Sequence, residues 1–234
     1  MFAPIPDLPD GGARQVRPPL ATLIAAVVTL SCSVLGAPAP AQVEVLTQHN
    51  DNNRTGANLS ETILNTANVN IFSFGKLFSR VLDGEVYAQP LYVSRVTIPR
   101  KGVHNVIYVV TSNNTVYAYD ADDPRQTEPL WFRKFLNPVP SPMIGAQFAT
   151  GLGILSTPVI AANTSPISGA TGTLYVVTLT LESNTQIFRL HALDLTTGIE
   201  VNGSPVVIGA TVPGTGDGST STGTSGSGSA GSGQ

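Results

Sequence analysis

The chain has 234 residues, a formal net charge of −3 and only 12% charged residues, so it lacks the basic footprint of a nucleic-acid-binding protein. Its 41% hydrophobic residues, 23 glycines and 18 prolines favour a β-rich globular protein over a helical or disordered one. The single cysteine, Cys32, excludes an intrachain disulfide framework and a thiolate metal cluster.

The N-terminal segment has the three parts of a secretory signal peptide. Arg14 and Arg17 precede the apolar run Leu20–Gly36, and Ala37–Ala41 follows with two A-x-A cleavage patterns. We therefore predict that residues 1–41 are removed and that the mature protein is secreted, either extracellular or periplasmic. After cleavage no stable membrane span is expected. An uncleaved membrane anchor is the alternative, although the run is short for a span and is interrupted by polar residues.

A polar cluster opens the mature chain, where His49–Glu61 reads HNDNNRTGANLSE. These side chains suggest an EF-hand calcium loop, in which a bidentate Glu stands at position 12. Counting from Asp51, Glu61 stands at position 11, and the flanking sequence lacks helical periodicity. We therefore interpret the cluster as structural. Its Asn and Asp side chains are expected to cap turns, and Arg54 is expected to pair with a carboxylate or with backbone carbonyls.

Strand patterns dominate the rest of the chain. A short helical turn is predicted around Asn65–Val69, and the Asn113-Asn114 pair predicts a tight hairpin because Asn tolerates positive φ. Short runs of β-branched and aromatic residues separated by turn residues predict five strands. They are Phe74–Val81, Val86–Val93, Asn105–Thr111, Thr115–Asp120 and Leu130–Phe135.

The strand patterns repeat. A second unit contains further predicted strands at Thr157–Ala161, Thr173–Thr178 and Leu190–Leu195. Its landmarks follow those of the first unit by 158 − 90 = 68 residues for the prolines, 175 − 108 = 67 for the tyrosines and 194 − 120 = 74 for the aspartates. Each unit reads as an antiparallel meander that cannot bury both faces alone, and a β-propeller buries such units by stacking them radially.

The repeated landmarks have structural interpretations. Ala118 and Ala192 are expected where neighbouring sheets approach closely, and Asp120 and Asp194 are expected to accept backbone N–H bonds in the turns that follow. Trp131 is expected to pack between neighbouring sheets. His191 stands where the first unit has Tyr117, so it is interpreted as a packing or rim residue.

The patterns IYV…VYAYDA…LW and LYV…LHALDLTTG resemble the repeats of pyrroloquinoline-quinone (PQQ)-type β-propellers. The preceding segment Asn53–Ser79 resembles the start of quinoprotein dehydrogenases, and the resemblance covers about Thr47–Ile208. It implies an all-β fold of antiparallel β-meander blades. The propeller would be incomplete in this chain, with about two blades plus an N-terminal lead-in strand, where closure typically takes about four to eight.

The resemblance also bears on chemistry. Bound-quinone enzymes of that family use a vicinal cysteine pair, a Glu and an Asn that bind calcium, a catalytic Asp and a Trp platform. The cysteine pair is absent beyond Cys32. Glu182 lies close to where the calcium-binding Glu would fall, but its register to the following Ala-x-Asp differs from the family's. Glu182 is therefore the one candidate metal ligand, and no catalytic residue is assigned.

These observations predict three regions: a signal peptide at 1–41, the N-terminal part of a PQQ-like β-propeller at 42–213, and a disordered Gly/Ser/Thr-rich tail at 214–234. The predicted function is a secreted scaffold or interaction module that holds no cofactor of its own. A fragment of a PQQ- and calcium-dependent oxidoreductase is the alternative. A polysaccharide hydrolase or lyase is supported only by the long loop Asn137–Gly153.

The predicted partners are the remaining blades of the same propeller, or associated chains, together with a protein or carbohydrate ligand. Nucleic acid is not an expected partner. In propellers an N-terminal strand commonly completes the last blade, so the segment that starts at His49 is expected to help close the ring.

Overall fold

A computed structural model describes residues 43–141, 151–163 and 169–209 of the chain. This part of the chain is all-β, with eight strands and no α-helix. The predicted signal peptide and the Gly/Ser/Thr-rich tail lie outside the described residues, as does most of the loop Asn137–Gly153. Among the described residues, no helix is long and apolar enough to cross a membrane.

The first four strands form one antiparallel meander, which we call sheet 1, in the order β1-β2-β3-β4. The predicted hairpin at Asn113-Asn114 is confirmed, because Asn114 has a φ of 57° in the turn that joins the second and third strands. The strands are β1 (Leu91–Ile98), β2 (Gly102–Val110), β3 (Thr115–Asp120) and β4 (Trp131–Lys134).

The last four strands repeat this arrangement in a second antiparallel meander, sheet 2, in the order β5-β6-β7-β8. The strands are β5 (Val159–Asn163), β6 (Thr171–Glu182), β7 (Thr185–Asp194) and β8 (Val206–Ile208). The fourth strand, β8, is short and pairs only with Phe188–Leu190 of β7. In sheet 1 the fourth strand, β4, begins directly opposite Ala118 of β3. The repetition seen in the sequence is therefore a repetition of whole four-stranded sheets.

The two sheets share one hydrophobic core. Side chains alternate between the two faces of a strand, so one row of each sheet points into this core. Tyr108 and Leu193 contribute to it from the two sheets, and Val45 and Leu46 pack against it from the N-terminal side. The fully buried core residues include Leu91, Val93, Val106, Val116, Ala118, Leu174 and Leu195.

The segment that contains Val45 and Leu46 pairs with the first strand of each sheet, not with a fourth strand. Val45 and Tyr92 exchange two backbone hydrogen bonds of 2.9 and 3.0 Å, and the Leu46 carbonyl accepts the backbone N–H of Ile160 at 2.8 Å. The segment therefore lies between β1 and β5, the first strands of the two sheets.

Two strand predictions need correction. No strand forms at Phe74–Val81, where the described parts of the chain supply no neighbouring strand for ladder hydrogen bonds. Leu77 and Val81 are about nine-tenths exposed. The strand predicted from Val86 begins instead at Leu91 and continues to Ile98. The helical prediction at Asn65–Val69 reduces to a single turn, closed by the hydrogen bond from the Val69 N–H to the Asn65 carbonyl.

Candidate functional site

Each sheet has two chemically different faces, which we name by their register. In sheet 1, Leu91, Tyr108, Ala118 and Trp131 lie directly opposite one another across the four strands. We call the face that carries this row the front face, and the opposite one the rear face. The repeat offsets place Val159, Tyr175 and Ala192 in the corresponding row of sheet 2, where they are again direct cross-strand partners.

The front face of sheet 1 packs on the rear face of sheet 2. The Tyr108 hydroxyl donates to the Leu195 carbonyl oxygen at 3.0 Å, and Trp131 Nε1 donates to the same oxygen at 3.2 Å. The rings of Tyr108 and Trp131 are 5.8 Å apart. The prediction that Trp131 packs between two sheets is therefore confirmed.

The front face of sheet 2 carries the same row without a covering sheet among the described residues. Leu91 and Tyr108 are at most 1% exposed, whereas their counterparts Val159 and Tyr175 are 44% and 38% exposed. Ala118 is fully buried, but its counterpart Ala192 is only half-buried. This uncovered face is the strongest candidate for a functional surface in the described structure.

The rear face of sheet 1 contains a cavity of about 380 Å³ beside the segment Ser79–Val81. Tyr117 lies between Tyr119 and Phe132, with ring centroids 5.6 and 6.1 Å away and both pairs stacked. Phe132 is 62% exposed. Tyr119 is 3% exposed, and its hydroxyl donates to the Val81 carbonyl at 3.1 Å. The rear face therefore offers a partly covered aromatic surface in the first sheet, at the opposite end of the two-sheet stack from the front face of sheet 2.

The repeated aspartates cap the turns that follow the third strand of each sheet, as predicted. Asp120 Oδ1 accepts the backbone N–H groups of Asp122 and Asp123 at 2.8 and 2.7 Å. Asp194 Oδ1 accepts those of Thr196 and Thr197 at 3.0 and 2.9 Å. Burial raises the pKa of each carboxyl group, but hydrogen bonds to it outweigh burial and hold the pKa below its ordinary value.

His191 belongs to a buried network that the sequence does not reveal. Its Nδ1 lies 2.7 Å from Glu200 Oε1 and its Nε2 lies 3.1 Å from the Thr178 hydroxyl. The ring of Phe135, which follows β4, makes a tilted contact with the imidazole, with ring centroids 4.0 Å apart. The order hydroxyl, imidazole and carboxylate is that of a nucleophilic triad. Thr178 is fully buried, however, so no substrate reaches it and the network stabilises the contact between the sheets.

His104 is half-buried, and its pKa is shifted in the opposite direction to that of His191. His104 Nδ1 lies 2.6 Å from Asp120 Oδ2, and Nε2 lies 2.9 Å from the Lys101 carbonyl oxygen. Both neighbours are hydrogen-bond acceptors, so the doubly protonated ring satisfies both. Burial lowers the pKa of His104, but the bonds to Asp120 and Lys101 outweigh it and raise the pKa above 6.5. Burial lowers the pKa of His191 below 6.5 despite its bond to Glu200.

The two histidines predict a stability maximum near pH 6.5. The stabilisation from His104 is complete below pH 6.5 and is lost as the pH rises through its raised pKa. The stabilisation from His191 is complete above pH 6.5 and is lost as the pH falls through its lowered pKa. Urea midpoints measured from pH 5 to 9 should therefore lose their alkaline decline in His104→Gln and lose part of their acidic decline in His191→Gln. Unchanged profiles in both variants would contradict these assignments.

Glu182 lies at the end of β6 and forms an ion pair across the hairpin. Arg189 contacts its carboxylate through both terminal guanidinium nitrogens, one of them at 2.9 Å, and the Thr180 hydroxyl donates to it at 2.7 Å. The hydrogen bond from Thr180 and then the Arg189 guanidinium hold its pKa below the ordinary value. No group of three or more His, Cys, Asp or Glu residues suited to a metal ion occurs in the described parts of the chain. The described contacts of Glu182 are thus one guanidinium and one hydroxyl, and its assignment as a calcium ligand stays a prediction.

The polar cluster His49–Glu61 forms local turns. Arg54 donates to the Thr47 hydroxyl at 2.8 Å and to the Gln48 carbonyl at 2.7 Å. The Thr55 hydroxyl donates to the Asp51 carboxylate, and Asn58 Oδ1 accepts the Ser60 N–H at 3.0 Å. Capping of turns by this cluster and pairing of Arg54 with a backbone carbonyl are therefore confirmed.

Comparison of the chain with protein-family models, with curated proteins and with solved structures finds no match. The candidate surface therefore has to be interpreted from its own geometry.

Proposed function

We propose that sheets 1 and 2 are successive blades of a PQQ-like β-propeller. The observation that carries this proposal is the front-to-rear stacking of two sheets with the same register, together with a second front face that repeats the first and lies uncovered. A β-propeller is built by repeating this one contact around a ring. The structure itself shows two stacked sheets that are not closed into a ring.

The proposed role is that of a secreted scaffold or interaction module whose ligands are proteins or carbohydrates. Its support is that the polar clusters described above are closed hydrogen-bond networks between protein groups. Thr178 and His191 are at most 4% exposed, and Glu182 is committed to Arg189 and Thr180. Secretion rests on the apolar run at Leu20–Gly36. N-terminal sequencing of the exported protein should find Gln42 first, and a start at Met1 would refute cleavage.

The matched tyrosines test the equivalence of the two sheets. Tyr108→Phe should lower the free energy of unfolding by about 1 kcal/mol, because it removes a buried hydrogen bond to Leu195. Tyr175→Phe in dilute protein should change it by less than about 0.5 kcal/mol, because the same position in sheet 2 is exposed. Urea unfolding of both variants provides the measurement. Equal losses would show that the two faces are not in different environments.

The alternative function, a fragment of a PQQ- and calcium-dependent oxidoreductase, predicts cofactor binding. Titration of the exported protein with PQQ and calcium, followed by quinone absorbance and by dye-linked alcohol oxidation, separates the two functions. The scaffold proposal predicts no saturable change in absorbance and no oxidation. Saturable PQQ binding that requires calcium would overturn it.

A further inference from the structure

The uncovered front face of sheet 2 is apolar over most of its width. Beside the central row of Val159 and Tyr175, Leu190 and Phe188 of β7 lie on the same face. Val206 and Ile208 of β8 are the direct cross-strand partners of Leu190 and Phe188, so they share this face too. A contiguous apolar surface of this kind marks an interaction site in a soluble protein. The exposed fractions are 44% for Val159, 38% for Tyr175, 41% for Phe188, 36% for Leu190, 55% for Val206 and 44% for Ile208.

The internal contact between the sheets defines what such a face binds. The front face of sheet 1 is covered by an apolar rear face, and the Tyr108 hydroxyl is satisfied by a carbonyl in the turn after the third strand of that sheet. Because Tyr175 is the repeat counterpart of Tyr108, it is expected to need the same two features. These are a covering rear face and a backbone carbonyl at the position equivalent to Leu195.

The rear face of sheet 1 provides both features within the same chain. Tyr117 and Tyr119 stand at the positions that His191 and Leu193 occupy in sheet 2. Tyr119 is only 3% exposed, since Arg80 and Val81 lie against it, so the accessible part of the rear face is formed by the half-buried Tyr117 and by Phe132. The turn position equivalent to Leu195 is 195 − 74 = 121, which is Ala121, directly after β3. The two faces lie at opposite ends of the stack, so they cannot meet within these two sheets.

We infer that the front face of sheet 2 binds the rear face of sheet 1 of a second copy of this chain. The Tyr175 hydroxyl donates to the carbonyl oxygen of Ala121 in that copy, as Tyr108 does to Leu195. This inference rests on the proposed function and names the partner that covers the face. The contact is heterologous, with a different surface on each side, so repeating it produces a ring or an open array. The described residues of two copies supply four sheets, about the smallest number that closes a propeller.

Two aspartate variants and a control test the inference on the exported chain by analytical ultracentrifugation. Phe188→Asp places a charge on the front face of sheet 2, and Phe132→Asp places one on the rear face of sheet 1. Val207→Asp is the matched control, because Val207 is 57% exposed on β8 but points to the opposite side from Val206 and Ile208. Wild type and Val207→Asp should sediment as two or more copies, and each Phe variant alone as a monomer.

An equimolar mixture of the two Phe variants should restore a complex of two copies, because each variant keeps the face that the other lacks. An assembly that persists in Phe132→Asp alone would show front-to-front pairing and overturn the inference. A wild-type chain that stays monomeric over the whole concentration range would overturn it as well. A wild-type assembly that both Phe variants keep would show that other surfaces bind, with the same consequence.

Fluorescence of Trp131, the only tryptophan of the chain, reports the internal stacking in the same samples. A blue-shifted emission in a monomeric wild type would mean that the second copy is the wrong partner while the two sheets still stack as proposed. A solvent-exposed emission would mean that the sheets do not stack, and the proposed function would then fail together with the inference.

Discussion

Replacing Gly198 by alanine should lower the free energy of unfolding by about 3 kcal/mol. Gly198 has a φ of 68°, a conformation that costs an L-residue roughly 1–2 kcal/mol. A Cβ atom there would lie 2.5 Å from Cε3 of Trp131, closer than carbon atoms approach, and relieving such a clash in a packed site costs roughly 1–3 kcal/mol. The urea midpoint, followed by Trp131 emission, measures the combined loss.

Gly203 provides the matched control for the steric part of this loss. It has a φ of 86° in the same loop region, but a Cβ atom added there meets nothing within 4 Å. Gly203→Ala should therefore cost about 1 kcal/mol from the backbone alone. Equal losses at the two glycines would show that Trp131 does not pack on the turn after β7, and the contact between the sheets would have to be reassigned.

The second large loss is expected at Asn114, whose side chain ties the two sheets together. Its Nδ2 donates to the Leu136 carbonyl at 3.0 Å and to the Leu179 carbonyl of sheet 2 at 2.8 Å, and the residue is fully buried. Asn114→Ala leaves both acceptors without this donor, and a buried group without its partner costs roughly 1–3 kcal/mol. With the strained φ of 57° for alanine, the expected loss is about 3 kcal/mol, measured by urea unfolding.

Asn114→Gly separates the hydrogen bonds from the backbone. Glycine adopts positive φ without strain, so this variant should be about 1 kcal/mol more stable than Asn114→Ala while losing the same two bonds. A glycine variant as stable as wild type would show that the bonds to Leu136 and Leu179 contribute nothing.

Local patterns predicted the sheets because the information lies in short stretches of sequence. The hairpin at Asn113-Asn114 depends on one residue that tolerates positive φ. The caps at Asp120 and Asp194 depend on a carboxylate two and three residues before the N–H groups whose hydrogen bonds it accepts. The strand at Phe74–Val81 was wrongly predicted because strand formation also depends on residues distant in the sequence. A strand needs a neighbour for its hydrogen bonds, and the composition of a segment does not say whether a neighbour is present.

The candidate site was only partly predictable. The repeat offsets alone pair Tyr108 with Tyr175, but which of the two is covered depends on how the sheets stack. The network around His191 joins Thr178, Glu200 and Phe135, which lie on different strands and loops up to 65 residues apart, since 200 − 135 = 65. Such contacts follow from register and stacking and leave no local pattern in the sequence. The pairing of Val45 with Tyr92 was missed for the same reason.

A crystal structure of the assembled, exported protein tests the central claim, that the front face of each sheet binds the rear face of the next. The account predicts a four-stranded meander seated on Val159, Tyr175 and Ala192, with the Tyr175 hydroxyl donating to a carbonyl in the turn after the third strand of that meander. A structure in which this row faces solvent in every copy, or meets another front face, would contradict it.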